Sequence, residues 1–168
     1  MHSLRLFPRG ESVQRWYRIK CPLSVWTEGF VLPERGRDMT VRDKALDFHA
    51  RGFNCAQSVL CSCGAYTGLD EETALAVSGG FGGGCRCGEI CGAVTGAVMA
   101  AGLCCRYSTE GDQQTKDAIA ALSRDLTGAF RERFGALRCE EIKIDTERCN
   151  AYIAWMAEQT EQVLKEIK

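Results

Sequence analysis

The sequence predicts an all-α fold, a compact bundle of about five to six helices with a glycine-rich loop before the central one. Three observations predict it. Apolar residues recur at helical spacing in successive segments past Met39, no segment alternates as a half-buried strand does, and helix caps and stops mark the segment boundaries. The 168 residues, 45% of them apolar, suit one domain able to bury a core.

Taken in order, Thr40 to Arg51 is the first amphipathic helix, with Val41, Ala45 and Phe48 on one face and Gly52 as its stop. Asn54 is a good N-cap for a second helix, from Cys55 to about Thr67, which Gly68 ends. Asp70 with Thr73 opens a third, running to about Ser78. Then comes the loop SGGFGGGCRCGE, with five glycines in six positions. Glu89 is expected to begin the fourth helix, ICGAVTGAVMAAGLCCRY. There Gly88, Gly92 and Gly96 recur every four residues, and because glycine costs a helix about 1 kcal/mol per position, close approach by a neighbour is the expected return. A fifth helix, roughly Asp112 to Phe134, aligns Ile119, Leu122, Leu126, Phe130 and Phe134 and stops at Gly135. The last, about Thr146 to Glu166, carries Cys149, Ile153, Met156, Val163 and Ile167 on one stripe.

Composition shifts at Met39. Residues 1–38 hold all three prolines and a net charge of +3, and the rest carries −4 and ten of the eleven cysteines. The expected division is therefore a leader or an over-long start at 1–38 and a helical domain at 39–168. With 21 basic against 22 acidic side chains, the chain lacks the basic surplus that nucleic acid or anionic lipid requires. The uncharged, apolar run from Ile90 to Cys105 falls short of the roughly 20 residues that span a bilayer. Charge interrupts the first residues too often for a secretory signal, so a cytoplasmic location is expected. Thiols stay reduced there, which turns dense cysteine toward metal binding or redox chemistry.

Cys55 and Cys91 each fall in the first turn of an expected helix, where unpaired N–H groups and the dipole lower a thiol's pKa. On that ground Cys91, or Cys55, should be the most reactive thiol. Arg86 would add to the effect at Cys91 and Glu89 would oppose it. Cys139 follows a turn and Cys149 begins the last helix, so helix ends meeting at one end of the bundle would bring four thiols together. Cys85 and Cys87, in the glycine loop, could turn toward a common ion. Cys61 and Cys63 point about 200° apart on a helix, and Cys104 and Cys105 end an apolar one, so these four read as small hydrophobes. His49 could act as a base for Cys55, but the plainer reading is a solvated helix residue. None of these spacings is a standard zinc pattern.

Asn-Cys-Ala-Gln at 54–57, Ser-Gly-Gly-Phe-Gly-Gly-Gly at 78–84, Gly-Glu-Ile-Cys-Gly-Ala-Val-Thr-Gly at 88–96, Phe-Gly-Ala-Leu-Arg-Cys at 134–139 and Cys149 together resemble the C-GCAxxG-C-C family, which is named for its cysteine pattern and described by a suggested redox activity. The resemblance covers about residues 40–165. It implies a helical protein of roughly 130 residues whose four defining cysteines are Cys55, Cys91, Cys139 and Cys149, with no established substrate.

The first functional reading is thus a cytoplasmic thiol redox protein in which those four cysteines undergo dithiol/disulfide exchange. The alternative makes the same four, with Cys85 and Cys87 as secondary candidates, ligands to an iron–sulfur cluster or zinc. A third is a helical partner-binding module with structural cysteines. The partner implied is a thiol or electron-transfer protein, and the oligomeric state is not read from the sequence.

Overall fold

The computed structural model describes residues 39–143 and 145–167. The expected leader at 1–38 lies outside these residues. Among the described residues the structure is all-α without a strand. Six helices have eight or more residues: α1 (Val41–Ala50), α2 (Cys55–Ser62), α4 (Glu71–Ser78), α5 (Gly92–Cys105), α6 (Gln113–Phe134) and α8 (Thr146–Ile167). Two single-turn helices, α3 (Gly64–Thr67) and α7 (Cys139–Ile142), join them.

Local chemistry sets most boundaries. Thr40 caps α1 by accepting from the Asp43 N–H at 3.1 Å. Asn54 and Gln57 form a reciprocal capping box at the start of α2, the side chain of each accepting from the other's backbone. Asp70 and Asp112 cap α4 and α6 through the N–H groups of Thr73 and Thr115. Gly68 and Gly135 close α3 and α6 in the left-handed conformation.

Two expected boundaries move. The second helix breaks at Cys63, where the chain restarts as α3. The fourth begins at Gly92 with Cys91 as its N-cap, three residues later than Glu89, because residues 89–91 are held extended by hydrogen bonds to the segment before α7. Gly88 consequently lies outside the helix.

The expected central helix is central. α5 packs against α2, α3, α6 and α8, and α1 lies across α2 and α8. Its glycines form the seam with α2: a Cβ on Gly96 would stand 2.7 Å from the Ala56 carbonyl oxygen, and one on Gly92 would stand 3.1 Å from the Cβ of Cys55. Opposite that seam, Phe130 and Phe134 of α6 meet Tyr152 and Trp155 of α8 edge-on or tilted, with ring centroids 4.7–6.2 Å apart. Tyr152 also donates its hydroxyl to the Ile142 carbonyl at 2.9 Å, fastening the end of α7 to α8. Every described helix is too short or too polar to cross a membrane.

Candidate functional site

The four candidate thiols come from four separate segments that meet at one end of α5. The capping box puts Cys55 at the first position of α2, half-buried against Gly92. Cys91 and Cys139 are brought together by an isolated antiparallel bridge between Ile90 and Arg138. In it the Cys91 N–H donates to the Leu137 carbonyl at 2.9 Å and the Cys139 N–H to the Glu89 carbonyl at 2.6 Å. Both side chains are buried, at 3% and 7% exposure. Cys149 lies in the first turn of α8, where Asp145 accepts from Arg148 at 2.7 Å, and it remains half-buried.

The thiols perturb one another. Cys55 is pushed above the ordinary thiol range, first by the hydrogen bond it shares with Cys149, then by burial and the charge of Cys91, Cys149 and Cys139. Cys149 is drawn down to about 6, mainly by that same hydrogen bond from Cys55 and further by the Lys143 ammonium, against burial and Asp145. Burial raises Cys91 to about 11, and Cys139 and Cys149 add to the rise while the N–H groups of Ala93 and Val94 oppose it. Cys139 is raised by burial and by Cys149, against Lys143.

These shifts correct the expectation that Cys91 or Cys55 would be the most reactive thiol. The helix-terminal N–H groups do lower Cys91, but burial among neighbouring sulfurs outweighs them. Cys149 is half-buried in the first turn of α8, and Cys55 and the Lys143 ammonium both draw it down. Brief alkylation of the reduced protein should accordingly modify Cys149 first. Its rate should rise as pH increases through about 6 and level off near neutrality, while Cys91 responds only toward about 11. Peptide mapping after quenching at several pH values checks this, and first labelling at Cys91 would refute it.

A cleft of about 300 Å³ opens over Cys55, Cys139 and Cys149. His49, Phe53, Arg86, Lys143 and Thr146 line it, together with backbone at Gly52, Asn54 and Gly83. His49 is half-buried, with Nδ1 2.7 Å from Oδ1 of Asn150, the residue after Cys149. It is thus an oriented wall of the cleft and not a solvated helix residue. Since an amide oxygen only accepts, Nδ1 carries the proton. Arg86 reaches the cleft from a wide turn, Gly84–Gly88. Four consecutive residues there, Gly83, Gly84, Cys85 and Arg86, have φ between 56° and 64°. The left-handed conformation costs a side-chain-bearing residue about 1–2 kcal/mol, and at Gly84 a Cβ would collide with the Glu89 backbone at 2.5 Å.

The other thiols stand apart. Cys85 and Cys87 are exposed and do not line the cleft, and the Cys87 thiol donates to the Gly84 carbonyl at 3.3 Å. Cys63 and Cys105 are buried in the core, and Cys61 and Cys104 pack against it. Among the described residues no group of three or more His, Cys, Asp or Glu side chains is arranged to hold a metal ion.

The fold and the site define a helical bundle with a cysteine cluster at one end. The model of the family described as "Putative redox-active protein (C_GCAxxG_C_C)" matches residues 53–163, and the chain belongs to that family. All four clustered thiols lie within the match, and so does the segment Cys91-Gly-Ala-Val-Thr-Gly96. No curated protein and no solved structure matches the chain.

Proposed function

We propose that the protein is a cytoplasmic thiol–disulfide exchange protein in which Cys149 attacks and Cys55 resolves. The observation that carries this reading is the Cys55–Cys149 contact, in which one thiol is held up and its partner down. The Cys149 thiolate attacks one sulfur of a substrate disulfide, forming a mixed disulfide and releasing the other sulfur as a thiolate. Cys55 gives its proton to that thiolate and attacks the Cys149 sulfur, which expels the second substrate sulfur. The protein pair is oxidised to a Cys55–Cys149 disulfide, and one substrate disulfide is reduced to a thiol and a thiolate, which takes its proton from water. Cys91, which is buried and does not line the cleft, and Cys139, which does, are suited to a second, slower couple that receives the oxidation from Cys55 or Cys149.

Equilibrating the purified full chain with dithiothreitol buffers of graded ratio tests the proposal. It requires a reversible loss of two titratable thiols, mapped to Cys55 and Cys149, without a change in visible absorption. A colourless protein with no such step would leave the cysteines a structural role. Visible charge-transfer bands, with ligands protected from alkylation, would return the site to metal chemistry.

A further inference from the structure

The walls of the cleft select by charge. Two basic side chains, Arg86 and Lys143, line it together with His49, and no carboxylate is among its lining residues. Neither cation has an ion-pair partner among the described residues. Arg86 makes only a 3.4 Å hydrogen bond to the Gly79 carbonyl, and Lys143 is in no salt bridge. Several acidic side chains at this end of the bundle are engaged elsewhere. Glu89, Glu140 and Glu141 converge on Arg138 at 2.9, 2.5 and 3.8 Å, and Asp145 caps α8 through the Arg148 N–H. Arg86 is moreover held at the cleft by a turn whose left-handed residues, itself included, are costly to maintain. The cleft is small, at the lower end of the range for small-molecule sites of about 300–1,000 Å³.

We infer that the substrate is a low-molecular-weight disulfide carrying carboxylates, bound with its anionic ends on Lys143 and Arg86 and a sulfur over Cys149. This rests on the exchange reading above and specifies what that exchange acts on. The carboxylates are not altered in the reaction. They hold the disulfide within reach of the thiolate, and the exchange itself is balanced as already written.

Three probes of similar length separate the two claims: dithiodipropionate as dianion, bis(2-hydroxyethyl) disulfide as neutral, and cystamine as dication. Each is reacted with the reduced full chain, and rates are divided by those of a small neutral monothiol with the same probe. That division removes the intrinsic reactivity of each disulfide. The dianion should react about tenfold faster than the dication on this scale. The preference should shrink toward unity near 1 M salt, where the Debye length is about 3 Å. Lys143→Gln and Arg86→Gln should each reduce the dianion-to-dication ratio by about fivefold, and Lys143→Arg should keep it. Taking a ratio cancels any change in Cys149 itself, and the salt series on the unaltered protein stands even if a variant fails to fold. A neutral probe that exchanges while the ratio stays at one, or favours the dication, would overturn the anionic substrate and leave the exchange reading intact. No exchange with any probe, the neutral one included, would overturn both.

Discussion

Cys149→Ser is expected to lower disulfide exchange by about three orders of magnitude, to background, because a hydroxyl does not supply the thiolate that attacks. Cys55→Ala should behave differently. It retains the nucleophile but removes the hydrogen bond that is the largest cause of its low pKa. If Cys149 then returns to the ordinary range near 8.5, its thiolate fraction at pH 7 falls from about nine-tenths to a few per cent, and alkylation there should slow by about tenfold or more. Added disulfide should also leave a mixed disulfide on Cys149 that no longer resolves. Both outcomes are read by mass spectrometry and by stopped-flow alkylation across pH. Cys104→Ser is the control: its side chain packs on the core and donates to the Tyr66 carbonyl at 3.5 Å, away from the cleft, so exchange should persist. A Cys55→Ala protein whose Cys149 still titrates near 6 would show that Lys143 and the α8 terminus alone set the thiolate.

The helices that sequence placed well are those whose ends are local events. Asn54, Asp70 and Asp112 accept from N–H groups two or three residues ahead, and Gly68 and Gly135 take the left-handed conformation that ends a helix. Such signals need no knowledge of the rest of the chain. The start of α5 is not of this kind. Glu89 and Ile90 fit a helical pattern, but their backbone pairs with residues near 138, almost fifty positions away, and that pairing holds Cys91 at the helix cap. Likewise nothing local marks Cys63 as a break, because the chain turns there to lay α3 on α5.

That these four thiols gather at one end of the bundle was legible for a related reason. Cys55 and Cys149 begin helices, and helix ends gather where a bundle ends. Which thiol would be activated was not, since the dipole acts through local backbone whereas burial and neighbouring sulfurs are tertiary. At Cys91 the tertiary effects exceed the local one. Lys143 had no distinguishing context in the sequence, and its role follows only from α7 setting it beside Cys139 and Cys149. His49 lies six residues before Cys55 in the sequence, but its orientation depends on Asn150, one hundred and one residues on. The position next to Cys149 is the one sequence clue that could have directed attention to Asn150.

The seam between α2 and α5 ties this site to the stability of the whole bundle, and Gly96→Val tests that tie. A Cβ at Gly96 would stand 2.7 Å from the Ala56 carbonyl oxygen, 3.1 Å from the Val59 Cβ and 3.2 Å from the Ala56 Cα. Two of these three atoms are backbone of α2, so no rotamer change can make room and the helices must separate. Overpacking of this kind costs about 1–3 kcal/mol, occasionally more, and the rigid backbone places the change at the upper end. A fall in Tm of roughly 10 °C is expected for a domain of this size. Separation at Gly96 also shifts the first turn of α2, which carries Cys55 one residue before Ala56. The Cys55–Cys149 contact should therefore weaken, and the alkylation midpoint of Cys149 should move upward from about 6. Gly102→Ala, in the same helix but with nothing within 4 Å of the added Cβ, should instead gain up to about 1 kcal/mol from helix propensity and leave the midpoint unchanged. Calorimetry and the pH series on both variants check the two halves together. A Gly96→Val protein that melts earlier with an unmoved Cys149 midpoint would mean that the thiol pair is held by its own caps, Asn54 and Asp145, independently of the seam.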